Sequence, residues 1–172
     1  FNGGSALAAD GIAVQALFTT NTAAAAAGLV WMILSWLDDK PSVLGIVTGA
    51  VVGLVAVTPG AGFVTPLGAL IIGALSAPIS YYAIKFIKGR NLIDESLDVF
   101  ACHGLGGLWG ALATGLFATT AVNAGGADGL FYGNANQFFV QLGAAVLAIV
   151  VSFGVTYAIA KLLDATMGLR VS

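Results

Sequence analysis

The sequence predicts an all-α fold, a polytopic bundle of transmembrane helices. Of 172 residues, 59% are hydrophobic and only 8% are charged, whereas a soluble globular chain carries about 25% charged residues. Six basic and eight acidic side chains cannot cover the surface of a soluble domain of this size. The second observation is that these few charges divide the chain into long uncharged stretches. A soluble enzyme is therefore excluded, and lipid is the expected solvent.

Five stretches are long enough to cross a bilayer core about 30 Å thick, which takes about 20 apolar residues per helix. The predicted spans cover residues 12–36, 42–58, 64–86, 99–119 and 138–163. The breaker cluster TPGAG at residues 58–62 separates the second span from the third. Residues 1–9 are too few to cross and are interpreted as the outer end of a helix whose beginning is absent. The whole chain, residues 1–172, is thus predicted to be a transmembrane domain fragment.

The basic residues all fall on one side of the predicted bundle. They are Lys40 after the first span, Lys85 at the end of the third span with Lys88 and Arg90 after it, and Lys161 at the end of the fifth span with Arg170 after it. The opposite side holds only Asp10 and Asp128. By the positive-inside rule the basic side is the cytoplasm. The sequence therefore predicts a multi-pass protein of the cytoplasmic membrane with a cytoplasmic C-terminus.

Several function classes lack the residues they need. Six basic residues and a net charge of −2 make no phosphate-neutralising patch, so nucleic-acid binding is not expected. One cysteine cannot build a disulfide framework or a cysteine-cluster metal site. The spans contain no nucleophile–base pair, phosphate-binding loop or paired carboxylates. We therefore expect no enzymatic activity, no cofactor and no metal.

Among the Asp, Glu, Lys, Arg and His residues of the sequence, only His103 lies inside a predicted span and away from its ends. Such groups are costly in a bilayer, face the interior of a bundle and mark an ion or substrate path by default. The alternative is a core histidine that bonds to a neighbouring helix. The sequence pattern alone favours neither interpretation.

Small residues recur at a spacing that lets helices approach closely in lipid. Gly45, Gly49 and Gly53 follow this spacing in the second span, and Gly106 and Gly110 repeat it in the fourth. The pattern indicates tight helix packing, with the wall of a narrow pore or a subunit contact as the alternative.

The acidic residues near the basic side are expected to have structural or solvated roles. Asp98 starts the fourth span and is predicted to cap it, because a carboxylate at a helix N-terminus accepts backbone amide hydrogen bonds. The others are interpreted as solvated loop charges: Asp38, Asp39, Asp94 and Glu95.

Four motifs together resemble the ammonium transporter (Amt/Mep/Rh) family. They are FNGGSAL at residues 1–7, GAVVGLVAVTP at 49–59, DVFACHGLGG at 98–107 and GLRV at 168–171. They follow the family order over the whole chain and are most similar to the bacterial and archaeal Amt branch.

The resemblance implies an architecture of eleven transmembrane helices, with two inverted repeats of five helices, assembled as a homotrimer with one pore per subunit. This chain would run from part of the sixth helix through the eleventh, which is the second repeat plus the last helix. An inverted-repeat transporter builds its site between the two repeats. The expected partner is therefore the missing N-terminal half of the same transporter.

The resemblance also implies residue roles. Phe1 is similar to a phenylalanine that gates the outer mouth, Ser5 to a serine that recruits ammonium, and His103 to the second of twin histidines that line a hydrophobic pore. Thr58, Asp98 and Trp31 are further candidates near the ends of the pore, without an assigned chemistry.

The implied function is ammonium transport: NH4+ is recruited outside and deprotonated, and NH3 and the proton pass through the histidine-lined pore. Whether the net transported species is NH3 or NH4+ stays open at this point. The alternatives are an ammonium sensor on the same scaffold and a non-conducting structural membrane subunit. A PII-type signalling protein at the cytoplasmic face is a further implied partner.

Overall fold

The computed structural model describes residues 1–169, and the long elements in them are all helical. The helices are α1 (Gly11–Asp38), α2 (Val43–Val57), α3 (Pro66–Arg90), α4 (Gly106–Phe117) and α5 (Ala135–Thr166). A π-helical segment, Phe100–Leu105, leads directly into α4. Single 3-10 turns cover Gly4–Ala6, Thr58–Gly60 and Leu130–Tyr132. The predicted basic residue Arg170 and the end of the GLRV motif lie outside the described residues.

Five helical stretches are long and apolar enough to cross a membrane when the turn at residues 58–60 is counted with α2 and the π-helical segment with α4. The predicted fold class, an all-α bundle of transmembrane helices, is confirmed. The helices differ from the predicted spans mainly at their ends. α3 continues to Arg90, beyond predicted residue 86, and α5 covers residues 135–166 rather than 138–163.

Three helices begin at a residue whose side-chain oxygen accepts a backbone amide hydrogen bond. The acceptor–donor pairs are Asp10 Oδ1 with Ala13 N (2.9 Å), Ser42 Oγ with Gly45 N (3.0 Å) and Thr65 Oγ1 with Gly68 N (3.1 Å). Each bond satisfies an amide that has no partner within its helix. Local sequence therefore determines where α1, α2 and α3 begin.

The first three helices pack tightly because glycines remove the side chains between them. A methyl group built on Gly53 would lie against the backbone oxygen of Ala23 in α1, and one on Gly49 against the side chain of Trp31. Gly73 of α3 approaches the backbone of Ala23 in the same way. In lipid such close approach contributes dispersion contacts between helices. The glycines of α2 and α3 thus serve helix packing within this chain.

α5 packs chiefly on α4, and none of its residues is buried within the described part of the chain. Its surface is strongly apolar, so it is suited to contact lipid or further protein rather than water.

The loop between α4 and α5 is ordered by backbone and threonine hydrogen bonds. Thr119 N donates to Phe63 O (2.8 Å), and Gly129 N donates to Ala118 O (2.8 Å). Asp128 Oδ1 accepts hydrogen bonds from the backbone N–H (2.7 Å) and hydroxyl (3.1 Å) of Thr120. The backbone bond from Thr120 is the main reason why the pKa of Asp128 is lowered from its usual value. Asp128 therefore holds this loop as a carboxylate.

Asp38 is more than the solvated loop charge that the sequence predicted. It is exposed, but it ends α1, and its Oδ2 accepts hydrogen bonds from Tyr81 Oη (2.6 Å) and Lys85 Nζ (2.6 Å) of α3. Both donors are more than forty residues away from Asp38 in the sequence. That separation is the reason why the pairing could not be predicted from local charge patterning.

Candidate functional site

The first residues of the chain form a single helical turn at the end of the bundle where α2 ends. Ser5 N donates to Phe1 O (3.0 Å), and the Ser5 hydroxyl donates to the same oxygen (3.2 Å). The Phe1 side chain is fully exposed within the described chain, and Ser5 is also exposed. The turn therefore presents an aromatic ring and a hydroxyl close together on an open surface.

Asn2 joins this turn to two other elements and was not singled out by the sequence. Its Nδ2 donates to Thr20 Oγ1 of α1 (3.0 Å) and to Thr58 Oγ1 (3.2 Å). Thr58 Oγ1 in turn donates to Leu54 O of α2 (2.7 Å). Since the partners of Asn2 are 18 and 56 residues away, its role becomes visible only in the folded chain.

These residues border a cavity of about 340 Å³, which we call the outer pocket because the sequence predicts that this end of the bundle faces outward. Its lining includes Phe1, Asn2, Ser5, Thr58 and Asn123. The lining contains apolar and neutral polar residues and no charged side chain. Hydroxyl and amide oxygens can accept hydrogen bonds from a small cation, and an aromatic face attracts positive charge. The outer pocket thus brings together three sequence-predicted residues, Phe1, Ser5 and Thr58.

His103 lies on the π-helical segment, on the opposite face from the packed core. The neighbouring Ala101 and Cys102 are 0% and 4% exposed, whereas His103 and Gly104 are exposed. Within residues 1–169 no side-chain hydrogen bond involves the imidazole. His103 is therefore not a buried, satisfied core histidine of the described helices, and it faces the surface that they leave open.

Asp98 lies just before the π-helical segment but does not cap it as predicted. Its Oδ2 accepts a hydrogen bond from Lys88 Nζ of α3 (2.8 Å), and its backbone is left-handed at φ 54°. The first-turn amide of Phe100 donates instead to Glu95 Oε2 (3.0 Å). Glu95 was predicted to be a solvated loop charge. The left-handed residue redirects the chain, so the carboxylate three residues earlier reaches the helix start.

Trp31 is buried, at 6% exposure, in a cluster behind the π-helical segment. The other buried members of this cluster are Ala27, Val52, Ala77 and Cys102. Its ring contacts Tyr81 edge-on, with centroids 5.1 Å apart. Trp31 thus supports the segment from the side opposite to His103.

The outer pocket and His103 lie toward opposite ends of α4. The 12 residues of α4 begin just after the π-helical segment and rise about 18 Å. Near its other end, Thr114 contacts Gly60 of the turn that borders the pocket. The described residues contain no group of three His, Cys, Asp or Glu side chains that could hold a metal ion. The arrangement thus has a polar, uncharged pocket near one end of α4 and a titratable side chain near the other.

The chain matches the Ammonium Transporter Family over residues 1–172. It is 47% identical over 171 residues to an ammonium transporter of Bacillus subtilis, covering 99% of this chain and 42% of that protein. It is 49% identical over 172 residues to Ammonium transporter Amt1 of Archaeoglobus fulgidus, covering 100% of this chain and 43% of that protein.

Solved structures show the same helical arrangement. The crystal structure of Saccharomyces cerevisiae Mep2 superimposes with a TM-score of 0.93 at 32% identity, covering 99% of this chain and 40% of Mep2. A structure described as a Sensor Amt Protein superimposes with a TM-score of 0.85 at 29% identity, covering 99% of this chain and 42% of that protein. The chain thus spans about two fifths of the length of each of these four proteins.

Proposed function

The chain belongs to the ammonium transporter family, and from that premise we propose that it supplies part of a pore that moves ammonium across the cytoplasmic membrane. The observation that carries the proposal is the pairing of an uncharged polar pocket at one end of the helices with the exposed His103 toward the other. A protein that only packs helices together requires neither feature.

Recruitment takes place at the outer pocket. Ammonium loses hydration when it enters an apolar passage, and a bare charge there is costly. The Ser5 hydroxyl and the Phe1 ring compensate for part of this loss by a hydrogen bond and a cation–π contact. The Asn2 amide holds Thr58 next to this turn, so the pocket is assembled from the opening turn and α2 together.

Conduction begins when the bound NH4+ gives up a proton to solvent water near the pocket, and the resulting NH3 moves along the apolar passage toward His103. The proton either returns to the outside, which gives net NH3 transport, or is passed inward by way of the imidazole, which gives net NH4+ transport. The imidazole can donate and accept hydrogen bonds, so it can bond to the passing molecule or carry its proton. A second histidine, from the part of the transporter beyond these residues, completes the pair. Net transport of NH3 and net transport of NH4+ both fit this scheme.

The same proposal assigns an orientation and an assembly. The basic residues at the end of α3, Lys85, Lys88 and Arg90, are placed in the cytoplasm, as is the C-terminus. The outer pocket, near the other end of the helices, then opens to the outside. The working unit is a homotrimer with one pore per subunit, and a PII-type signalling protein binds at its cytoplasmic face.

The second candidate is an ammonium sensor, which the likeness to a Sensor Amt Protein favours. Ammonium-dependent current in liposomes tests these functions. We expect current when residues 1–172 are part of the complete transporter polypeptide, and none from residues 1–172 alone. A complete polypeptide that binds ammonium without current would favour the sensor. If the complete polypeptide shows no ammonium binding and no current, the result would indicate a structural subunit.

Ser5→Ala tests the recruitment step in the complete transporter. Because the lost hydrogen bond is to a charged ligand, we expect the half-saturating ammonium concentration to rise roughly tenfold, with little change in the maximal rate. Uptake of labelled methylammonium, competed with ammonium, measures both. Ser152→Ala removes an exposed hydroxyl from α5 and is the matched control. A loss that is the same at all concentrations would contradict a recruitment role.

A further inference from the structure

The π-helical segment that carries His103 is bonded to α3 by one buried hydroxyl. Ser80 is 0% exposed, and its Oγ donates to Ala101 O over 2.9 Å. Ala101 precedes His103 by two residues, and 21 residues separate it from Ser80 along the chain. The contact therefore joins the segment to a different helix from the one it continues into.

The register of this segment decides where His103 points. Successive residues are turned about the helix axis by about 100° in an α-helix and by somewhat less in the wider π-helical turn, so each residue of the segment faces a different direction. Ala101 and Cys102 are buried while His103 and Gly104 are exposed, so a shift of the register by one residue that puts His103 in the position of Cys102 would turn the imidazole into the packed core. A π-helical turn is rare and needs support, because its wider ring departs from the regular α-helical ladder. A side chain that hydrogen-bonds to a helical carbonyl, as Ser80 does here, is one known cause of a local departure from the α-helical hydrogen-bond pattern.

We propose that Ser80 is a positioning residue: its hydrogen bond to the Ala101 carbonyl fixes the π-helical register that directs His103 away from the core. The consequence for conduction rests on the proposed function of His103 in the pore. The orientation of the imidazole does not depend on that proposed function, because Ser80 bonds to the segment whatever role His103 has.

Ser76 offers a matched comparison on the same helix, one turn earlier. It is also 0% exposed, but its Oγ donates to Gly73 O (2.7 Å) within α3. Both serines thus bury a hydroxyl whose hydrogen bond is made, and only Ser80 bonds to the segment that carries His103. A merely structural contribution would be similar for the two residues.

The experiment compares Ser80→Ala with Ser76→Ala in the complete transporter. The readouts are the ammonium-dependent current and the imidazole ¹⁵N NMR signal of His103, identified by its loss in His103→Ala. For Ser80→Ala we expect a changed His103 signal and a maximal current lower by about tenfold, the upper range for one buried hydrogen bond, with the half-saturating concentration unchanged. Ser76→Ala should leave the signal and the current near the parent values. Ser80→Cys keeps the volume but donates only weakly, so it should act like Ser80→Ala without a cavity.

The proposal is overturned if the two alanine variants behave alike, or if the His103 signal is unchanged in both Ser80→Ala and Ser80→Cys. Failure of the proposed function is a separate result: His103→Ala would then keep full current. In that case the NMR signal still decides whether Ser80 positions the imidazole.

Discussion

Replacing His103 by alanine in the complete transporter should lower the ammonium-dependent current by about ten- to hundredfold, or remove its discrimination against K+. Hydrogen bonds that involve a charged group contribute about 1.5–3 kcal/mol, and each 1.36 kcal/mol of barrier is tenfold in rate. His103 is exposed on the face that the described helices leave open. Alanine at this position therefore removes the proposed hydrogen bond to the passing molecule without opening a cavity in the described core. Current in proteoliposomes, with ammonium and then K+ as the cation, measures both effects.

Cys102→Ala is the control for this experiment. Cys102 precedes His103 but is buried in the cluster with Trp31 and Val52, so its truncation should lower thermal stability and keep selectivity for ammonium. His103→Gln separates two roles, because glutamine forms hydrogen bonds but does not titrate. Unchanged current and selectivity in His103→Ala would contradict a role of His103 in conduction.

The fold class could be predicted because charge is expensive in lipid, and fourteen charged residues leave little choice of where the helices cross. The ends of the helices were harder to predict. α3 runs through Lys85 and Lys88 to Arg90, because long basic side chains extend to the interface while their backbone stays helical. A charge therefore does not mark a helix end, whereas the capping residues Asp10 and Ser42 do.

The candidate site was predictable where it is local. Phe1 and Ser5 are four residues apart, and that spacing places them on one turn, as the structure shows. The sequence also isolated His103, because a titratable side chain stands out in an apolar span. The shared turn and the isolation of His103 need only neighbouring residues, whereas Phe1 and Ser5 became site candidates only through the family resemblance.

The rest of the site depends on contacts between distant parts of the chain. Thr58 borders the outer pocket and is hydrogen-bonded there to Asn2, 56 residues away. The π-helical segment has no signal in a hydrophobic pattern of period 3.6, and its bond to Ser80 exists only after α3 has packed. Glu95 replaces Asp98 as the cap because Asp98 adopts a left-handed backbone. None of these could be read from spacing.

Gly110→Ala should destabilise the helix bundle by about 1–3 kcal/mol, the usual cost of adding a group to a well-packed site. A methyl group built on Gly110 would lie against the backbone of Ala56, including its carbonyl oxygen. Backbone cannot rotate out of the way as a side chain can, so α2 and α4 must separate. Dispersion contacts between close helices are what stabilise their association in lipid, and they weaken quickly with distance.

Gly143→Ala in α5 is the matched substitution, because a methyl group there meets nothing within 4 Å in the described chain. With no clash, the higher helix propensity of alanine should make this variant neutral or more stable by up to about 1 kcal/mol. Thermal unfolding of the complete transporter in detergent, followed by exposure of buried Cys102 to a thiol-reactive dye, compares the two. Equal melting temperatures for Gly110→Ala and Gly143→Ala would contradict the close approach of α2 and α4. A lower value for Gly110→Ala alone would show that this glycine is needed for contact between the helix that leads to the outer pocket and the helix that follows His103.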